Sequence, residues 1–321
     1  MVPHTPQRSE PPAKPDVLLD DRLRRRAPNS MELGTGRVDA NGLTFHYLEA
    51  GRGPLVLCLH GFPDNAHTYT ELLPALAEAG FRGVAPFMRG YAPTSAAPDG
   101  RYQSVLLAQD AIALRNVLGG ERAFLVGHDW GASAAYGAVA LAPDRFERLV
   151  TIGAAHPAAV RGDLATSYER HKGIWHAYFF QMPFAEQIVA ANDFAFLEAW
   201  WRDASPEFDP TPVIERVKVT FRQPGVVTAA LSYYRHTFHP ANRDPGLQEL
   251  QQRVSSAPIP VPTLALHGTR DRPGRLEAFD GMDDLFTKGL QKVVVPGAGH
   301  FVHVERPREV NRRIVEFLRA A

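Results

Sequence analysis

One carboxylate stands at the centre of a sequence pattern that suits a nucleophile. Residues 127–131 read Gly-His-Asp-Trp-Gly, and the form Gly-x-nucleophile-x-Gly belongs to a sharp turn between a strand and a helix. The glycines are needed because backbone segments crowd at this turn. The turn lifts the central side chain above the carboxyl edge of the sheet. Asp129 would attack an electrophilic carbon and form an ester that a second step must hydrolyse. The alternative is that Asp129 only caps the following helix.

Two further residues follow in the order that ester hydrolysis requires. Asp271 comes just after an apolar, strand-like run, and His300 ends the Gly-Ala-Gly-His stretch behind the last predicted strand. His300 would remove a proton from water, and Asp271 would orient its imidazole and stabilise the cation. Taken singly, Asp271 suits a turn and His300 suits a core histidine. Their joint occurrence, each behind its own strand, favours catalysis.

The loop His60-Gly61-Phe62-Pro63 follows the first buried strand. In this layout the backbone N–H groups of Phe62 and Trp130 would form an oxyanion hole. His60 itself is expected to be a structural hydrogen-bonding residue. His303 suggests a metal ligand, but no carboxylate or second histidine completes a site at usable spacing, so we predict no metal and no organic cofactor.

The elements that must position these residues alternate between strand-like and helix-like segments from about residue 37. This alternation predicts an α/β core with a mostly parallel sheet and helices on both faces. The alternation of strands and helices is interrupted between about 157 and 250, where aromatic-rich, helix-like stretches indicate an inserted cap. The predicted stretches are 163–182, 184–203, 211–222 and 225–238. We therefore expect a mobile extension at 1–34, core at 35–156, a helical cap at 157–250 and core again at 251–321.

Composition excludes several classes of protein. Lys plus Arg and Asp plus Glu both number 35, so no basic excess favours nucleic acid or anionic membranes. The single cysteine, Cys58, excludes an internal disulfide framework, and it suits a packed thiol. No apolar run approaches the roughly 18–20 residues of a membrane span, and the first 30 residues lack the features of a secretory signal. A soluble, cytoplasmic protein is predicted.

Together these motifs resemble the epoxide hydrolases of the α/β-hydrolase fold. The resemblance covers about residues 35–320, and it implies a mostly parallel central sheet, helices on both faces and an inserted helical cap. Haloalkane and haloacetate dehalogenases with an Asp nucleophile share most of the motifs. Haloalkane dehalogenases usually have Asn at the position of Phe62, and fluoroacetate dehalogenases usually have Arg at the position of Trp130. A small anionic substrate therefore lacks its expected partner.

The resemblance also points to two donors in the cap, because epoxide hydrolases hold the epoxide oxygen with two tyrosines. Ser-Tyr-Tyr-Arg at 232–235 aligns Tyr234 with the second tyrosine, which leaves Tyr233 as an aromatic packing residue. The stretch that resembles the first-tyrosine segment has His176 at that position. Tyr178 is a second choice for this donor, although two residues further along a helix is a poor match to the same face.

The resemblance implies that a small apolar epoxide is opened to a vicinal diol. Asp129 would form the alkyl-enzyme ester, and Tyr234 and His176 would donate to the epoxide oxygen. A dehalogenase with the same triad is the alternative enzyme, and a non-catalytic binding protein with this fold is the alternative outside enzymes. The sequence leaves open whether the chain is a monomer or a homodimer.

Overall fold

An eight-stranded sheet forms the centre of the described part of the chain. The computed structural model describes residues 32–120 and 122–320, and its strands follow the order β1-β2-β4-β3-β5-β6-β7-β8. The strands are β1 (Gly34–Ala40), β2 (Leu43–Gly51), β3 (Leu55–Leu59), β4 (Arg82–Pro86), β5 (Ala123–His128), β6 (Phe146–Ile152), β7 (Thr263–Gly268) and β8 (Leu290–Val295). Pairs involving β2 are antiparallel, and all others are parallel. The predicted mostly parallel α/β sheet is confirmed.

The apolar runs of the sequence form the middle of this sheet. Every residue of β3, β5 and β7 is buried, as expected for parallel strands that are covered by helices on both faces. Because parallel strands end at the same edge, the loops after β3, β5, β7 and β8 meet there. Those four loops carry Phe62, Asp129, Asp271 and His300.

Helices of the core cover the sheet, and a helical segment is inserted between β6 and β7. The core helices are α1 (Leu72–Glu78), α2 (Ser104–Leu118), α3 (Trp130–Leu141), α11 (Leu276–Asp280), α12 (Val302–Glu305) and α13 (Pro307–Arg319). The inserted helices are α4 (Pro157–Thr166), α5 (Tyr168–Gly173), α6 (Trp175–Phe179), α7 (Ala185–Ala204), α8 (Thr211–Phe221), α9 (Val226–Phe238) and α10 (Gln248–Ser256). None of the helices in the described ranges has both the length and the apolarity that a membrane span requires.

Several predicted boundaries differ from the structure. The predicted helix at 163–182 is divided among α4, α5 and α6. The predicted cap boundary at residue 250 falls inside α10, whose Val254 packs against Val105 and Ala108 of α2, so this helix belongs with the core by its packing. Of the predicted extension at 1–34, residues 1–31 lie outside the described residues, and Gly34 begins β1.

The long cap helix α7 contains a left-handed turn that the sequence did not predict. Asn192, Asp193 and Phe194 have φ of +49°, +52° and +60°, a conformation that costs roughly 1–2 kcal/mol for each L-residue. The Arg222 guanidinium donates to both carboxylate oxygens of Asp193, at 2.9 and 2.7 Å, and Phe194 is buried. Helical spacing of apolar residues cannot reveal such a turn, because the apolar pattern continues across it.

Candidate active site

The Asp129 side chain is presented by a strained turn between β5 and α3. Its φ of +51° and ψ of −115° lie outside the regions that strands and helices occupy. A Cβ atom on Gly131 would lie 2.0 Å from the Leu59 carbonyl oxygen, and one on Gly61 would lie 2.4 Å from Asp129 Oδ1. These glycines are required because the neighbouring loops pass directly against the turn.

The Asp129 carboxylate is held as an anion between a backbone donor and an imidazole. The Phe62 N–H donates to Oδ1 at 2.8 Å, and His300 Nε2 lies 3.7 Å from Oδ2. Burial alone would favour the neutral carboxyl, but the favourable interaction with the nearby His300 imidazole outweighs it and keeps the pKa of Asp129 below its ordinary value. With its side chain 24% exposed, Asp129 is an ionised carboxylate that a substrate can reach.

Asp271 supports the other side of the same imidazole. His300 Nδ1 lies 3.1 Å from both Asp271 carboxylate oxygens, and the Gly274 N–H donates to Asp271 Oδ1 at 2.7 Å. Burial opposes ionisation of this carboxyl, but the charge of His300 outweighs it and lowers the pKa of Asp271. An anion on Nδ1 fixes the ring orientation and leaves Nε2 facing Asp129.

His300 is therefore cationic when both carboxylates are ionised. Burial alone would lower its pKa, but the charge of Asp271 and the interactions with Asp129 raise the pKa of His300 to about 10. The imidazolium lies between the two carboxylates, in hydrogen-bonding contact with Asp271 and 3.7 Å from Asp129. Loss of either negative charge would make its proton easier to remove.

The Trp130 backbone N–H, the other predicted oxyanion donor, and the loop that carries Phe62 are both positioned by main-chain structure. Trp130 is the first residue of α3, where main-chain N–H groups have no acceptor within the helix. His60 Nε2 accepts the Met88 N–H at 2.9 Å, and its Nδ1 donates to the Gly61 carbonyl at 3.0 Å. His60 thus fixes the loop that carries Phe62.

The structure brings Tyr234 of α9 and His176 of α6 together beside the nucleophile. Their ring centroids are 5.5 Å apart, and the Tyr234 ring lies 5.4 Å from Phe62 and 5.0 Å from Trp130. Burial raises the pKa of Tyr234 well above its usual value, and the charge of Asp129 adds to this shift. Tyr234 is therefore a neutral phenol.

His176 is also neutral. Burial lowers the pKa of His176 to about 3, and the charge of Asp129 offsets this only in part. Its ring lies 5.2 Å from Trp200 and 5.7 Å from Phe180. A neutral imidazole offers one N–H donor.

Two further cap tyrosines that the sequence singles out, Tyr178 and Tyr233, have hydrogen-bond partners outside the site. The Tyr233 hydroxyl donates a hydrogen bond to the Arg89 carbonyl at 2.8 Å, which suits its predicted role as a packing residue. Tyr178, the second choice for the first donor, is 37% exposed, and its hydroxyl lies 2.6 Å from His171 Nδ1. The structure does not bring Tyr178 to the site, because it lies two positions beyond His176 on a short helix and faces the surface.

A buried cluster of three titratable residues lies behind His300 and has no counterpart among the predicted sites. Ligand atoms of Asp64, His128 and His303 lie within 4.8 Å of one another, so the expectation that no carboxylate or second histidine accompanies His303 is wrong. Sequence spacing does not reveal this cluster, because the three residues lie far apart in the chain. His128 Nε2 donates to the His300 carbonyl at 3.1 Å. Burial raises the pKa of Asp64 to about 7, and the cationic His300 ring, 4.7 Å from His128, opposes a bound metal ion.

Several known proteins are similar to this chain over most of its length. Residues 54–307 match the family model described as alpha/beta hydrolase fold. An epoxide hydrolase of Caballeronia sordidicola is 31% identical over 307 residues, covering 88% of this chain and 92% of the relative. Epoxide hydrolase A of Mycobacterium tuberculosis is 28% identical, covering 88% and 96%. A mutant of an epoxide hydrolase from Bacillus megaterium, known from its crystal structure, has 25% sequence identity and a TM-score of 0.77. The match covers 88% of this chain and 100% of that chain.

Proposed function

This chain belongs to the α/β-hydrolase fold family and, within it, to the epoxide hydrolases, and we propose that it opens a neutral epoxide to a vicinal diol through an ester of Asp129. One observation carries the proposal. The anionic Asp129 carboxylate accepts the Phe62 N–H at 2.8 Å and lies 3.7 Å from His300 Nε2. Two neutral donors, Tyr234 and His176, occupy the same site.

The first half-reaction opens the ring. A carboxylate oxygen of Asp129 attacks one epoxide carbon, and the bond from that carbon to the epoxide oxygen breaks. The Tyr234 hydroxyl transfers its proton to the developing alkoxide, while the His176 N–H stabilises the oxygen by a hydrogen bond. The step leaves a hydroxyalkyl ester on Asp129 and a Tyr234 phenolate.

The second half-reaction cleaves the ester. His300 first returns its proton to the phenolate through solvent, which restores Tyr234 and leaves a neutral base. His300 then takes a proton from water, and the water oxygen attacks the Asp129 carbonyl carbon. The Phe62 and Trp130 N–H groups stabilise the tetrahedral oxyanion. On collapse the leaving alkoxide takes the proton of the hydroxyl that water added, which releases the diol and the Asp129 carboxylate and leaves His300 protonated as in the free enzyme. The balance is one epoxide and one water to one diol.

Neutral donors favour an epoxide over an anionic haloacid. A haloacid carboxylate would need a cation, and burial keeps His176 uncharged. Arg170 is buried in the cap and donates to the Pro273 carbonyl. The aromatic rings around Tyr234 favour an apolar substrate.

Single turnover in ¹⁸O water tests the ester directly. Excess enzyme is mixed with an epoxide such as styrene oxide, and the diol and the peptide that contains Asp129 are analysed by mass spectrometry. We expect an unlabelled diol and ¹⁸O in Asp129, because the oxygen of water enters the aspartate first. Asp129→Asn should form no diol, whereas the surface control Tyr178→Phe should behave as the wild type.

Other outcomes would contradict the proposal. Label in the diol of the first turnover would mean direct attack by water. Halide release from a haloacid or haloalkane, with no epoxide opened, would mean a dehalogenase. No covalent adduct with any electrophile would mean a binding protein.

A further inference from the structure

The indole N–H of Trp130 is a buried donor that neither the fold nor the ester mechanism uses. The mechanism needs only the backbone N–H of this residue. Within the described ranges, no acceptor lies in hydrogen-bonding geometry with Trp130 Nε1, although the atom is shielded from solvent. A buried N–H group without an acceptor costs free energy, so such groups in native proteins call for an explanation.

Two tyrosine rings lie beside the indole, and only one of them has a hydroxyl that is free to accept its N–H. The Trp130 ring lies 5.0 Å from the Tyr234 ring and perpendicular to it, and 5.5 Å from the Tyr233 ring. The Tyr233 hydroxyl is already hydrogen-bonded outside the site, since it donates to the Arg89 carbonyl. Tyr234 is the phenol in the epoxide site, and an oxygen that donates its proton can accept a hydrogen bond at the same time.

We propose that the Trp130 indole N–H donates to the phenolic oxygen of Tyr234 during ring opening and that Trp130 is thereby a positioning residue for the acid. The inference rests on the proposed function, in which Tyr234 protonates the epoxide oxygen. The indole and the phenol form a chain of two hydrogen bonds that ends on that oxygen, and each bond polarises the next.

The electrostatics of the site explain why such a donor matters. Burial and the Asp129 carboxylate both oppose ionisation of Tyr234 and raise its pKa, whereas the Trp130 side chain acts in the opposite direction. The acid must give up its proton beside an anion, in an environment with few compensating charges. An N–H directed at the phenolate oxygen stabilises the charge that forms.

A double-mutant cycle tests the inference. Trp130 is replaced with 3-benzothienylalanine, which keeps the shape of the indole but lacks the N–H, and with Phe, each in the wild-type and the Tyr234→Phe background. Single-turnover rates of ester formation and ester hydrolysis are measured with styrene oxide. We expect the isostere to slow ester formation about tenfold, equivalent to about 1.4 kcal/mol, because one hydrogen bond is lost. Ester hydrolysis should change less than about twofold, because the backbone N–H of residue 130 remains.

The second background decides between the interpretations. If the N–H acts through the Tyr234 oxygen, the isostere has almost no further effect once Tyr234 is Phe. An equal loss in both backgrounds would mean that the indole acts by packing or on the ring face, and no loss in either would also overturn the inference. Failure of the proposed function gives a different result, because the wild-type enzyme would then form no Asp129 ester with any epoxide.

Discussion

Removal of the Tyr234 hydroxyl should slow ring opening and leave the fold and the ester hydrolysis intact. The Tyr234 ring packs against Phe62, Trp130, His176 and Phe180, with centroids 5.0–5.5 Å away, and Tyr234→Phe keeps all of these contacts. The lost group is the proton donor for the epoxide oxygen in the reaction we propose. The effect should therefore fall on catalysis rather than on stability.

The magnitude follows from the number of donors. A positioned general acid contributes about 10²–10⁴-fold, and His176 still offers one N–H to the same oxygen. We therefore expect Tyr234→Phe to slow ester formation by about 10²–10³-fold, or about 2.7–4 kcal/mol. The loss should be smaller for epoxides with electron-withdrawing substituents, because their alkoxides need less protonation.

Rapid-quench single turnover separates the two half-reactions, and thermal unfolding monitors the fold. Tyr178→Phe is the matched control, since it removes a hydroxyl from another cap tyrosine that lies on the surface beside His171. A rate of ester formation within about threefold of the wild type would refute the role of Tyr234, because a general acid contributes far more. An equal loss in ester hydrolysis would instead indicate a general distortion of the site.

Four further outcomes follow from the site. His176→Phe should slow ester formation about tenfold, and by the same factor from about pH 5 to 9, because the imidazole with its pKa of about 3 stays neutral there; a larger loss at low pH in single-turnover assays would refute this. His300→Gln should accumulate the Asp129 ester, seen as a mass increase equal to the epoxide, and steady turnover would contradict the base assignment. The pKa of His300 is raised to about 10 in the folded state from an ordinary 6.5, so its protonation stabilises the fold fully below pH 6.5 and no longer does so once the pH has risen through about 10. Urea unfolding should therefore show the wild type losing its stability advantage over His300→Gln across that range. A difference that stays constant with pH would refute the shift. Tyr178→Phe should leave kcat/KM within about twofold, as for surface changes away from a site, and a larger loss would place its hydroxyl in catalysis.

The sequence predicts those parts of the fold that depend on local pattern. The apolar runs of β3, β5 and β7 predict buried parallel strands, because few other environments accept an uninterrupted apolar stretch of that length. Asp129 is predicted by its flanking glycines, whose absence of a side chain the turn requires. The sequence does not clearly predict the antiparallel edge strand β1, because most of its residues are exposed and show no alternation of apolar and polar residues.

Features that depend on contacts between distant residues could not be read from the chain. Asp64 and His303 are separated by more than 200 positions, and only the packing of the loop after β3 against α12 brings them beside His128. The left-handed turn at 192–194 is held by Arg222, which directly follows α8. The difference between Tyr233 and Tyr234 also becomes definite only in the folded structure, where one hydroxyl donates to Arg89 and the other ring faces Phe62.

In the mechanism we propose, the charge of His300 sets the order of the two half-reactions. In the free enzyme the imidazole lies between two carboxylates, with Asp271 at Nδ1 and Asp129 at Nε2, and together they keep it protonated and unable to act as a base. Esterification of Asp129 removes one of the two negative charges, so the pKa of His300 falls at the moment when a base is needed. Asp271 remains to hold the ring. Water is therefore activated only when an ester is present to receive it, and the nucleophile stays ionised until the epoxide arrives.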